Sequence, residues 1–146
     1  MNNVSKPVEI LIVEDNPDDA DLFVEALQNR ASHPNVQVVE DGVAALKCVR
    51  GDAPYGNAHR PDLIFLDLNL PRKSGHEVLA EIKADPQLRS IPVIVLTTST
   101  AGPDITKSYD LGASCFITKP FDLDQLLAIV DAIDSFWLRT ASLLPR

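Results

Sequence analysis

What the sequence lacks narrows the field first. Met1 to Ile10 carry no cationic stretch leading into a long apolar run, so no secretory signal is marked. The longest uninterrupted apolar runs, such as Val93 to Leu96, fall far short of the ~20 residues a membrane helix needs. Together these absences predict a cytoplasmic protein with no membrane partner. Cysteine is scarce. Cys48 and Cys115 lie far apart with no CxxC spacing and no His/Cys cluster, which argues against a zinc site and predicts two small core residues. Positive charge is in the minority, 13 Lys plus Arg against 21 Asp plus Glu, and the net charge of −8 repels phosphate backbones. No nucleic-acid partner is expected. The three histidines, His33, His59 and His76, have no ligand spacing and read as surface residues. Internal repeats, charge blocks, low-complexity tracts and a linker to an output domain are all missing.

What is there has ordinary globular proportions, 45% apolar and 23% charged residues, and 146 residues correspond to one domain at roughly 100 to 200 residues each. Short β-branched runs alternate with longer segments of helical spacing, the pattern of a parallel sheet covered on both faces by helices. The strands are expected over Val8–Val13, Val36–Glu40, Leu63–Leu66, Val93–Leu96 and Cys115–Thr118. Several are apolar throughout, as burial of both sheet faces requires. The first helix opens with Asn16 as N-cap, Pro17 in its first turn, and Asp18 and Asp19 at the positive end of the dipole; Ala20, Phe23, Val24 and Leu27 form its core stripe. Further helices are expected over Val43–Val49, Glu77–Ala84, Asp104–Leu111 and Leu123–Leu138. Between the second helix and third strand, Gly51 to Pro61 form a long, turn-rich loop suited to partner contact.

In open parallel sheets the reactive crevice lies beyond the carboxyl ends of the strands. Here those ends carry Glu14 and Asp15, then Asp67, then Thr97 and Thr98, then Lys119 and Pro120. Three carboxylates gathered together repel, and either raised pKa values or a bound cation relieves them. Hard oxygen ligands with room for water suit Mg²⁺, with Mn²⁺ as a substitute. Glu14, Asp15, Asp67 and the backbone carbonyl of Asn69 are the expected metal ligands. A cation and Lys119 around a carboxylate make a site for an incoming phosphoryl group, with Asp67 as nucleophile and Thr97 and Lys119 stabilising the dispersed charge.

These motifs, with Asp67-Leu-Asn-Leu-Pro and Gly75, Thr97-Thr-Ser, and Phe116-Ile-Thr-Lys-Pro-Phe, resemble the receiver domain of two-component response regulators from about Val8 to Leu138. The resemblance implies a flavodoxin-like, doubly wound α/β fold with sheet order 2-1-3-4-5 and five helices, a single domain over 1–146 with an extension of helix five at about 135–146, and phosphorylation of Asp67 by a histidine kinase. It implies Thr97 and Phe116 as the switch pair, where many members carry tyrosine in place of Phe116, and signalling through the face of helix four, strand five and helix five. A cis Lys119–Pro120 bond is also implied. Asp67-Leu-Asn-Leu-Pro-Arg-Lys-Ser-Gly, Glu77-Val-Leu-Ala-Glu-Ile-Lys and Ser135-Phe-Trp-Leu further resemble the small standalone regulators paired with cyanobacterial phytochrome kinases, which form homodimers. That implies a phytochrome partner and an interface including Phe136, Trp137 and Leu138. On helix five, Leu126, Val130, Ile133 and Trp137 make one apolar stripe and Ile129, Ala132 and Phe136 a second, and one sheet face cannot bury both.

Other readings compete. An intermediate phosphocarrier in a multistep relay would use the same residues. A Mg²⁺-dependent aspartyl phosphatase would want an acid two residues beyond the nucleophile, where this chain has Asn69, so the phosphorylated form should turn over slowly and the protein is not expected to act as an enzyme. A nucleotide- or flavin-binding module needs a first turn rich in glycine or hydroxyls, and this one is acidic.

Overall fold

The computed structural model describes residues 6–145, so Met1 to Ser5 and Arg146 of the expected domain lie outside the described residues. Five strands and five helices alternate: β1 Glu9–Val13, α1 Pro17–Gln28, β2 Asn35–Val39, α2 Gly42–Arg50, β3 Leu63–Leu66, α3 Gly75–Ala84, β4 Val93–Thr97, α4 Gly102–Asp110, β5 Cys115–Thr118 and α5 Leu123–Ile133. All strand pairs are parallel, and the sheet order is β2-β1-β3-β4-β5, as expected. Among the described residues no helix is long and apolar enough to cross a membrane.

Burial follows strand position. Central β3 and β4 are buried at every residue, whereas edge strand β2 buries only Val39 and edge strand β5 is half-buried throughout. Two apolar layers result. One, around Leu11, Ile64, Leu79 and Val95, includes α2 and α3; the other, around Ile12, Phe23, Phe65 and Val130, includes α1 and α5. Phe23 meets Phe65 edge-to-face at 5.0 Å. Val24, expected in the α1 stripe, is only half-buried, and Ala26 takes the interior position.

Helix starts are governed by their caps. The Asn16 side chain accepts from Asp18 N and Asp19 N, and Asp41 caps α2. Ser74 and Glu77 form a reciprocal capping box, so α3 begins at Gly75, two residues before the expected start. α4 likewise begins at Gly102, with proline in its first turn.

The end of α5 departs from a plain helix. A π-helical segment, Asp134–Thr140, continues it past the expected Leu138. The wider turn brings residues five apart together, and Arg139 Nε lies 3.0 Å from Asp134 Oδ2. Buried Asp134 also accepts from Ser32 Oγ at 2.7 Å, so its charge is satisfied twice. The Lys119–Pro120 bond is not cis. Among the described residues the only cis bond is Ala53–Pro54, and trans is the lower-energy isomer of an X–Pro bond by about 0.5–1 kcal/mol.

Candidate functional site

The carboxyl ends of β1, β3, β4 and β5 form one polar rim. β3 delivers Asp67 directly from four buried apolar residues, and the neighbouring β1 delivers Glu14 and Asp15. Glu14 and Asp67 are both buried and Asp15 is exposed, yet one carboxylate oxygen from each lies within 4.8 Å of the others. Lys119, from beyond β5, reaches across to them. Its Nζ lies 2.9 Å from Asp67 Oδ2, in hydrogen-bonding contact with Glu14 Oε1, and 3.4 Å from Asp19 Oδ2. The second oxygen of Asp67 accepts from Asn69 N at 3.1 Å, and that of Glu14 from Asn16 N at 3.1 Å.

The electrostatics reflect this crowding. Burial, reinforced by the Asp67 charge, raises the Glu14 carboxyl above its ordinary 4.5, although Lys119 and the Asn16 N–H pull the other way. Burial also acts to lower the Lys119 ammonium, but the hydrogen bonds and charges of Glu14 and Asp67 overcome it and hold the group above the usual lysine range. The Lys119 ammonium thus meets Glu14, Asp67 and Asp19, and Asp15 adds a further carboxylate beside the first two. An all-oxygen donor set with this excess of negative charge fits a hard divalent cation.

Thr97 ends β4 on the same rim. It is fully buried, and its Oγ1 has no hydrogen-bond partner. A buried hydroxyl left without a partner at this end of β4 is a donor awaiting an acceptor oxygen. Thr98 and Lys119 line a cleft of about 410 Å³ whose apolar side is Phe23, Phe65 and Leu126. Asn69 stands exposed in the loop after Asp67. Gly75 closes that loop: a Cβ there would lie 2.3 Å from the Asp67 carbonyl oxygen and 2.6 Å from Leu68 Cα, so α3 starts against Asp67 only because no side chain intervenes.

A family model for the response regulator receiver domain matches residues 10–131. The chain belongs to this family. Among relatives of this receiver, the response regulator Rcp1 of Synechocystis is 44% identical over 144 residues, spanning 98% of each chain. The solved structure of the phosphorylated cyanobacterial phytochrome response regulator RcpA matches with a TM-score of 0.92 at 51% identity, covering 96% of this chain and 100% of RcpA. The Mn²⁺-bound form of Rcp1 matches with 0.90 at 45%, covering 95% and 100%. The receiver is thus a two-component signalling protein with the flavodoxin-like topology that the resemblance implied.

The remaining anticipated residues of the receiver divide. Phe116 is half-buried, packs against the α2–α3 layer, and donates its backbone N–H to Tyr109 Oη at 3.1 Å. Phe136 is 54% exposed, whereas Trp137 and Leu138 are half-buried against the α1–α5 layer. Phe136 and Trp137 meet edge-to-face at 5.2 Å. His76 corrects the surface reading given to all three histidines: it is half-buried, with Nε2 3.0 Å from Ser108 Oγ. Asp19, read only as a dipole acid, faces Lys119. It stands in the first turn of α1, three residues beyond the Asn16 cap, and its place in the acidic run that begins at Glu14 is the sequence signal that could have joined it to the site.

Proposed function

We propose that Asp67 accepts a phosphoryl group from the phosphohistidine of a histidine kinase, with Mg²⁺ held by Glu14, Asp15, Asp67 and the Asn69 carbonyl. The observation that carries this reading is the meeting of three carboxylates from β1 and β3 with the Lys119 ammonium at one rim. An Asp67 carboxylate oxygen attacks phosphorus, the P–N bond breaks, and the leaving imidazole nitrogen takes a proton. Lys119 and Thr97 meet the transferred oxygens, Lys119 with its charge and Thr97 with the hydroxyl that is otherwise unpaired. When bound, the cation supplies neutralisation of charge on the phosphoryl oxygens. Asn69 holds the position from which an acid would speed hydrolysis, so Asp67 phosphate persists long enough to signal.

The likeness to RcpA, a cyanobacterial phytochrome response regulator, supports a phytochrome kinase as the donor, and the receiver then works in the cytoplasm as a single domain over 1–146. Thr97 and Phe116 relay the change to the α4–β5–α5 face. A homodimer uses the exposed Phe136, with Trp137 and Leu138 supporting it from below. The test is transfer of label from a phosphorylated phytochrome kinase. Label moves to the native chain, fails to move to Asp67→Asn, and stops moving when Mg²⁺ is chelated; label on Asp67→Asn overturns the assignment.

A further inference from the structure

α4 is held in place unusually. Its only buried residue is Ser108, a polar one, so no fully buried apolar side chain anchors this helix. Ser108 Oγ donates its one proton to the Asp104 carbonyl at 2.7 Å. That hydroxyl can then only accept from His76, and the 3.0 Å contact fixes His76 Nε2 as the donor. His76 directly follows Gly75, whose N–H donates to Leu68 O at 3.0 Å in the loop that carries Asp67. At the other end of α4, the Asp104 carboxylate accepts from Ser99 Oγ at 2.6 Å, two residues beyond Thr97.

A continuous path results. It runs from the Asp67 loop through Gly75 and His76 to Ser108, then through Asp104 and Ser99 to the end of β4 at Thr97. Thr97 Oγ1 is unpaired in this arrangement, and any shift of the Thr97 end of β4 toward a phosphoryl group on Asp67 draws on Ser99 and, through its bond to Asp104, on the start of α4. Bonds that tie α4 to α3 oppose that shift.

We propose that the His76–Ser108 hydrogen bond is a latch holding α4 against α3 in the unphosphorylated protein, which makes His76 a positioning residue that sets how readily Asp67 takes up a phosphoryl group. The inference rests on Asp67 as phosphoacceptor. Ser108 has 0% exposure, so the serine end of the latch is shielded from water, while His76 is half-buried.

The test compares full-length native chain with Ser108→Ala, His76→Leu, His76→Gln and the double variant His76→Leu/Ser108→Ala. Hydrogen exchange of the α4 amides is read without Mg²⁺ or phosphoryl analogue, and half-saturation by beryllofluoride in Mg²⁺ is read by fluorine NMR. Loss of one neutral hydrogen bond corresponds to roughly threefold to tenfold in an equilibrium. Ser108→Ala and His76→Leu speed α4 exchange by about that factor and lower the half-saturating beryllofluoride by the same factor. The double variant goes no further than either, and His76→Gln, which keeps a donor near Nε2, stays within about twofold of native. Ser108→Ala removes only an oxygen and improves helix propensity, so it is the variant that folds in any case. Unchanged α4 exchange in Ser108→Ala overturns the latch. Faster exchange with unchanged or raised half-saturation overturns its link to Asp67 and leaves His76 a structural residue. A native chain that takes up no beryllofluoride overturns the phosphoacceptor reading and the coupling with it, while the exchange rates still decide the tie between α3 and α4.

Discussion

Glu14 shows how one buried side chain can serve a site at the expense of the fold. Its carboxyl is raised above 4.5 by burial, so the folded state binds its proton more tightly than the unfolded chain does. The stability it contributes is complete below 4.5 and is lost as pH rises through the raised value. At neutral pH without a divalent ion, the ionised Glu14 therefore weighs against folding. Glu14→Gln is expected to melt at a higher temperature than the native chain at pH 7 in chelator. Mg²⁺ should raise the melting temperature of the native chain and do little for the variant. A native chain unmoved by Mg²⁺ would remove the metal from the account. Lys119 works in the opposite sense, since its raised pKa keeps it charged and its contribution intact across the whole neutral range. The same residue-level view explains why the meeting of Asp67 with Lys119 could be read from sequence and the His76–Ser108 bond could not. The first two residues stand directly after apolar strand runs, where topology dictates their meeting. The latter joins two helices through residues 32 positions apart, and neither has a distinctive neighbour.

At the level of elements, the strands were legible because β1, β3 and β4 are buried on both faces and admit little besides branched apolar residues. Helix ends were less so. Glu77 was read as the start of α3, although it is the reciprocal partner of the Ser74 cap one turn later, and a stripe of apolar residues on α5 gave no hint that its last turns widen. The α3 cap has a measurable consequence. The Ser74 backbone and side-chain hydrogen bonds lower the Glu77 carboxyl below 4.5, so its contribution is present above 4.5 and lost as pH falls through the lowered value. Ser74→Ala should cost about 1 kcal/mol in urea unfolding at pH 7. The difference between variant and native chain should shrink in acid, once the pH has fallen through the lowered Glu77 value. An equal penalty at pH 7 and in acid would assign the effect to Ser74 alone.

For the molecule as a whole, two surfaces remain after the fold is complete. One is the acidic rim with its cleft, and the other is the end of α5, where Phe136 stays 54% exposed while Trp137 and Leu138 turn inward. The sequence showed too much apolar surface for one helix face, but it could not say which residues would stay outside, because the π-helical turn resets their phase. Phe136→Glu places a charge on the exposed ring position and leaves the inward pair alone. The mass measured by light scattering should fall from dimer to monomer, with the far-ultraviolet dichroism unchanged. A dimer that survives the change excludes Phe136 from the interface.

β3 runs through the most shielded layer of the molecule, with Leu63 to Leu66 all at 1% exposure or less, and Asp67 is its next residue. On the proposed function, reactivity is mounted on a part that solvent-facing mutations scarcely touch, and partner choice is left to the exposed edges and helix backs. A duplicated copy could drift toward a new upstream kinase, or away from the old one, without re-optimising its chemistry. Pathway insulation in this architecture is an affair of the periphery.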